Sequence, residues 1–227
     1  MRHIDKTTPP SEFVEYCETP DVSFAGLSGK PKRALKERLL EDQGYICCYC
    51  GRRISNDEHT KIEHIKCQKE HNELALDFNN MLASCDGGDS DRAHKIKPKH
   101  CEHCDAKKGE RDIPVSPLDN LDGLLTYFDD GSVKGTGIGK DLIRILGLDT
   151  QYLNTQRRNA IENYNDFSIN DVDQELRRLR TKIDGQFEEF CFVLEQNILA
   201  TQVEVQQVTE NSDDEIPSVP YQQTIAV

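Results

Sequence analysis

Two Cys-x-x-Cys pairs lie in the first half of the chain and could bind a metal ion. The first pair is Cys47 and Cys50, the second is Cys101 and Cys104, and Cys85 lies between them. Zinc takes four thiolate or imidazole ligands in a tetrahedron, and one Cys-x-x-Cys turn supplies two of them. The spacing therefore predicts a structural zinc site.

Two alternative sets of cysteines could complete this zinc site, and we refer to them as its two solutions. Cys101 can join Cys104 as a regular Cys-x-x-Cys pair, or Cys85 can join Cys104 and tie two distant segments together. His100 and His103 are further candidates, since imidazole also binds zinc. The first pair and Cys104 belong to both solutions. A redox-active pair is disfavoured, because no thioredoxin-like βαβ pattern surrounds it.

A second group of residues has the types that phosphodiester hydrolysis requires. Glu63 and His64 are neighbours between the cysteine pairs, and Asp105 directly follows Cys104. A neutral histidine is a suitable general base near neutral pH. The two carboxylates are oxygen ligands suited to Mg²⁺ or Mn²⁺. Lys108, one helical turn beyond Asp105, could contact a substrate phosphate.

Neighbouring side chains in a strand point to opposite faces, so the strand must end or twist if Glu63 and His64 serve one site. Each candidate also has an ordinary interpretation. A Glu-His pair is often a surface feature, and Asp105 alone would suit a helix N-terminus. Their order between the cysteine pairs is what indicates a metal-dependent nuclease.

Composition limits the class of protein and its compartment. The 227 residues carry a net charge of −13, which disfavours nucleic-acid binding, although residues 30–111 hold 17 Lys and Arg against 15 Asp and Glu. No apolar run is long enough to span a bilayer, and the N-terminus lacks a signal-peptide pattern. We therefore expect a cytoplasmic protein with reduced cysteines and no membrane partner.

The elements that position these residues follow from periodicity and turn signals. A helix is predicted over 31–43, ended by Gly44, and a strand, metal-binding knuckle and second strand over 45–54. A strand is predicted over 61–66, a short helix over 76–85 and a last helix from Cys104. The division is an N-terminal extension (1–29), a nuclease domain (30–118), a helical region (119–206) and a disordered tail (207–227).

The chain resembles a known family in its motifs. The run from Cys47 to Gly109 is similar to the HNH endonuclease pattern of a Cys-x-x-Cys pair, an acidic-His pair, an asparagine and a final cysteine. More narrowly, it resembles the PtuB family, the HNH component of Septu-type and some retron-type antiphage systems. The segments that carry this resemblance are 1–4, 63–64, 76–85 and 103–109.

The resemblance implies an α+β protein with a zinc-stapled ββα-metal core and a mainly helical C-terminal region. It implies that His64 is the general base, that Glu63 and Asp105 hold the divalent ion, and that Asn80 orients the loop carrying His64. The chain departs from the broad HNH pattern in two ways: Glu63 stands where Asp is common, and Asp105 where His or Asn is usual.

The resemblance also bears on the zinc ligands and on partners. It favours Cys85 over Cys101 as the fourth ligand. It implies antiviral DNA cleavage together with a PtuA-like ABC-type ATPase, and the chain itself has no GxxxxGK[ST] motif. Two alternatives stay open: an RNA-cleaving HNH nuclease, and a zinc-ribbon binding or regulatory subunit without catalysis, which the acidic net charge favours.

Overall fold

The computed structural model of the protein describes residues 1–89, 101–165 and 171–213, and in residues 165 and 203–213 it describes the backbone only. The zinc candidate His100 and residues 214–227 of the expected tail lie outside this part. The helices are α1 (Ser11–Cys17), α2 (Gly29–Gln43), α3 (Cys104–Lys108), α4 (Gly139–Leu146), α5 (Gln151–Asn165), α6 (Val172–Arg180) and α7 (Cys191–Asp213). Helix α7 therefore extends past residue 207, where the disordered tail was predicted to begin.

Two small antiparallel sheets accompany these helices. Strand β1 (Thr60–His64) pairs with β2 (Met81–Cys85), and β3 (Leu125–Tyr127) pairs with β4 (Val133–Gly135). In the first sheet Glu63 lies opposite Leu82. The mixed α+β class is therefore confirmed, and β1, β2 and α3 follow one another through the part of the chain that holds the candidate residues.

Helix α2 confirms the predicted helix and its end. Leu35, Leu39 and Leu40 recur at helical spacing and are fully buried. Gly44 ends the helix in the left-handed conformation at φ +60°. A Cβ at this position would lie 2.5 Å from the Phe187 ring, so both the backbone conformation and the close contact require glycine.

The prediction of a short helix over 76–85 is wrong. A 3₁₀ turn at Phe78–Asn80 leads directly into β2. Met81, Leu82 and Ala83 are all fully buried, because β2 pairs with β1 and also contacts α2. A strand covered on both faces reads as a continuous apolar run, which short-range periodicity does not distinguish from a buried helix.

One cluster of buried apolar side chains draws on both the central segment and the C-terminal helices. The Tyr127 and Phe192 rings lie 5.4 Å apart, and the Phe190 N–H donates to the Gly51 carbonyl at 2.9 Å. The turn that carries Cys47 and Cys50 is thereby attached to the helical region. Within the described ranges, no helix combines the length and apolar character needed to cross a membrane.

Candidate metal and catalytic site

The first cysteine pair lies in a tight turn. An isolated bridge joins Ile46 to Arg53, in place of the two predicted strands. The Cys47 N–H donates to the Arg52 carbonyl at 2.8 Å, and the Gly51 N–H donates to the Cys47 carbonyl at 3.1 Å. These bonds fold the chain back on itself, so that Cys47 and Cys50 face the same point.

Four buried cysteines meet at that point. The Sγ atoms of Cys47, Cys50, Cys85 and Cys104 all lie within 4.8 Å of one another. Cys47 and Cys104 are 3.8 Å apart, and Cys50 and Cys85 are 3.9 Å apart. Four sulfurs at the usual zinc–sulfur distance of about 2.3 Å stand roughly 3.8 Å from one another in a tetrahedron. The cluster could therefore hold a metal such as zinc.

The remaining described candidates lie around this cluster. Cys101 is half-buried and is not one of the four clustered cysteines. The His103 Nδ1 lies 3.2 Å from the Cys104 Sγ and 3.8 Å from the Cys85 Sγ, so this imidazole borders the group. Of the two alternatives, the structure therefore brings together the one in which Cys85, at the end of β2, joins Cys104, at the start of α3.

His64 lies at the end of β1 with both ring nitrogens bonded. Its Nε2 lies 3.0 Å from the Ala75 carbonyl oxygen, and its Nδ1 lies 3.0 Å from the Gln68 amide nitrogen. A carbonyl can only accept, so Nε2 carries the proton and Nδ1 accepts from Gln68. Burial lowers the pKa of His64, and the Phe24 ring packs edge-on at 4.5 Å. The imidazole is therefore neutral, with its basic nitrogen at Nδ1.

Asn80 fastens the backbone around His64. Its side-chain oxygen accepts from the Lys66 N–H at 2.8 Å, and its amide donates to the Lys66 and Leu74 carbonyls at 3.0 and 3.2 Å. These bonds join the segment that follows β1 to the turn that precedes Ala75. They fix the Ala75 carbonyl, which in turn determines the tautomer of His64.

Glu63 lies in a buried network of polar groups. Its Oε1 accepts from the Tyr49 hydroxyl at 3.1 Å and from the Lys108 ammonium at 2.8 Å, and the Asp105 carboxyl lies near enough to affect the pKa of Glu63. Burial, followed by the Asp105 carboxyl, raises the pKa of Glu63 to about 8. The ammonium opposes this shift, but one cation cannot neutralise two neighbouring carboxylates. The Glu63 carboxyl therefore holds a proton at neutral pH when no cation is bound.

These residues line one cavity of about 300 Å³, which Glu63, His64, Gln68, Asp105 and Lys108 all border. Strand β1 ends at His64, so the two neighbours both reach this space, as a shared site requires. The Lys108 ammonium is buried and also donates to the His64 carbonyl at 2.7 Å. Lys108, which was predicted to contact a substrate phosphate, is thus bonded in the structure to Glu63 and to the His64 carbonyl.

Sequence reasoning missed three groups that hold the candidate residues. Tyr49 could have been found, because a polar residue inside a metal-binding knuckle is a candidate to face the interior. Gln68 lies in the segment after β1, where no periodic pattern indicates its direction. Ala75 contacts His64 through its backbone carbonyl, which every residue has, so the residue type at position 75 could not predict this contact.

Comparisons with known proteins leave the family of this chain open. No protein-family model matches it, and no curated protein matches it.

Proposed function

We propose that the protein is a metal-dependent endonuclease of the HNH type, in which His64 activates the water that hydrolyses a phosphodiester bond. The observation that carries this proposal is a neutral His64 whose basic Nδ1 borders the same cavity as two paired acids, Glu63 and Asp105. The order of β1, β2 and α3 supports a ββα-metal core, and the motif resemblance to the PtuB family supports the same assignment.

The protein's own groups suit the role of general base. With the proton of His64 held on Nε2 by the Ala75 carbonyl, Nδ1 can take a proton from the attacking water. Asn80 keeps that carbonyl in place through its bonds to Leu74, the residue before Ala75, and to Lys66, which follows β1. The lowered pKa of His64 keeps the ring neutral, and therefore basic, at neutral pH.

The donor set at Glu63 and Asp105 fits a divalent cation. Two carboxyls in contact, one of them buried with a raised pKa, are groups whose repulsion a cation would relieve. Both are hard oxygen ligands, as Mg²⁺ and Mn²⁺ prefer. A cation held there would stabilise the charge that develops on the scissile phosphate and the leaving oxygen. The four clustered cysteines would hold a separate structural zinc.

The substrate and the partner follow from the resemblance and from charge. We take DNA as the substrate, cut during antiphage defence, and a PtuA-like ATPase as the partner that supplies nucleotide control. The net charge of −13 weakens binding to phosphates by this chain alone. A partner that contributes a basic surface would remove this difficulty.

A second function is favoured by one observation. The Nδ1 of His64 is bonded to Gln68, and the Glu63 carboxyl is bonded to Lys108, so both reactive groups have internal partners. A zinc-ribbon binding or regulatory subunit without catalysis would have the same structure. Such a subunit would show no need for a divalent cation besides its structural zinc.

A cleavage assay separates these functions. Supercoiled plasmid and single-stranded RNA are incubated with wild type, His64→Ala and the matched control His59→Ala, with Mg²⁺ or Mn²⁺, alone and with a PtuA-like ATPase. We expect nicks or breaks in DNA from wild type and His59→Ala, and roughly 100-fold less from His64→Ala. Cleavage retained by His64→Ala would remove this residue from the mechanism, and cleavage of RNA alone would change the substrate.

A further inference from the structure

The Glu63 carboxyl is held at one oxygen by two donors that come from different parts of the chain. The Tyr49 hydroxyl donates to Oε1 at 3.1 Å and the Lys108 ammonium donates to the same atom at 2.8 Å. Rotation of the carboxyl would break both bonds at once. The other oxygen, Oε2, accepts neither of these two bonds.

All three side chains are deeply buried, so their bonds are costly to break. Tyr49 is 0% exposed, Lys108 is 2% exposed and Glu63 is 4% exposed. A hydroxyl or a charge that loses its partner away from water is destabilised by the full cost of its desolvation. The orientation of the Glu63 carboxyl is therefore set by the protein before any cation binds.

Both donors are attached to the cysteine cluster through the backbone. Tyr49 directly precedes Cys50 in the knuckle, and Lys108 lies on α3, the helix that begins with Cys104. Asp105, the second carboxyl, directly follows Cys104. The position of each group around Glu63 thus depends on a cysteine of the cluster.

We propose that Tyr49 is a positioning residue for Glu63: with Lys108 it fixes the carboxyl that holds the divalent cation, and it links the cysteine cluster to cation affinity. This inference rests on the proposed function, since it takes Glu63 as a cation ligand. Groups that orient a ligand in this way typically change metal affinity by about 10- to 100-fold when they are removed.

The test measures Mn²⁺ binding to the zinc-loaded protein by electron paramagnetic resonance, without substrate. Tyr49→Phe keeps the ring and removes only the hydroxyl. Tyr45→Phe is the matched control, because the Tyr45 hydroxyl also bonds a glutamate, Glu37, but outside the cavity. We expect roughly 10-fold weaker Mn²⁺ binding in Tyr49→Phe than in wild type or the control, with zinc content unchanged in both variants.

Glu63→Gln separates the failure of this inference from the failure of the proposed function. Mn²⁺ binding that is lost in Glu63→Gln but unchanged in Tyr49→Phe would overturn the role of Tyr49 and leave the proposed cation site intact. Mn²⁺ binding that does not respond to Glu63→Gln would overturn both. Loss of zinc together with Mn²⁺ in Tyr49→Phe would also overturn the inference, because the hydroxyl would then hold the fold rather than the carboxyl.

Discussion

At the scale of single residues, the chemistry of the site depends on which ring nitrogen of His64 carries the proton. The Ala75 carbonyl fixes that proton on Nε2 and leaves Nδ1 as an acceptor beside the cavity. The Gln68 amide donates to Nδ1, so in the proposed mechanism this side chain must move before His64 can activate water. Gln68 is exposed, and an exposed side chain can rotate away at little cost.

A charge placed at residue 68 should change the pH dependence of cleavage. Burial lowers the pKa of His64, so in wild type the ring becomes charged and inactive only below its ordinary value of 6.5. In Gln68→Glu a carboxylate beside Nδ1 favours the charged ring and raises that pKa. The pH at which activity falls should therefore move upward by the same amount.

Two measurements check this prediction. A histidine NMR titration gives the pKa directly, and the signal of His64 is identified by its loss in His64→Ala. Gln68→Leu, which adds no charge, is the control for cleavage. Superimposable profiles for Gln68→Glu and wild type would mean that residue 68 does not contact the base in solution.

At the scale of elements, the cysteine cluster joins three short pieces that would have little stability alone. They are the knuckle around Cys47 and Cys50, the last residue of β2 at Cys85, and the first residue of α3 at Cys104. Helix α3 has only five residues, too few to be stable without tertiary contacts. A metal in the cluster would fix this helix, and with it the position of Asp105.

The two solutions for the zinc site predict opposite results for two cysteine variants. If the clustered set binds the metal, Cys85→Ser should lose zinc, and Cys101→Ser should retain about one zinc per chain, as wild type does. Zinc content is measured by mass spectrometry after dialysis against a weak chelator. Retention by Cys85→Ser and loss by Cys101→Ser would instead favour the regular Cys-x-x-Cys pair.

Several elements could be predicted because their signals are local. Helix α2 has apolar residues at helical spacing and a terminal Gly44, and α3 starts at the predicted Cys104. Strand β2 was mistaken for a helix, because its apolar run reflects cover from β1 and α2, which is a tertiary property. The bonds of Tyr49 to Glu63 and of Gln68 to His64 could not be predicted either, because they depend on how separate segments pack, although the inward direction of Tyr49 could be.

At the scale of the whole molecule, one apolar core supports both the candidate site and the C-terminal helices. The knuckle is bonded to the start of α7 through Gly51 and Phe190, and α3 packs against α4. A change in the C-terminal helices can therefore reach the cluster through direct contacts. If an ATPase partner binds those helices, this packing is the physical route by which it would act on the site.

The central claim is that His64 is the general base of a nuclease, and chemical rescue tests it most directly. His64→Ala removes the imidazole from a cavity of about 300 Å³, so added imidazole can enter and replace it. Cleavage of plasmid is measured with Mg²⁺, which prefers oxygen ligands and competes weakly for imidazole. Asp105→Asn, which keeps the base and alters the proposed cation ligand, is the control.

The account predicts that imidazole restores part of the lost cleavage in His64→Ala, in proportion to its concentration, and restores none in Asp105→Asn. Equal cleavage by His64→Ala and wild type without imidazole, or equal rescue of both variants, would contradict it.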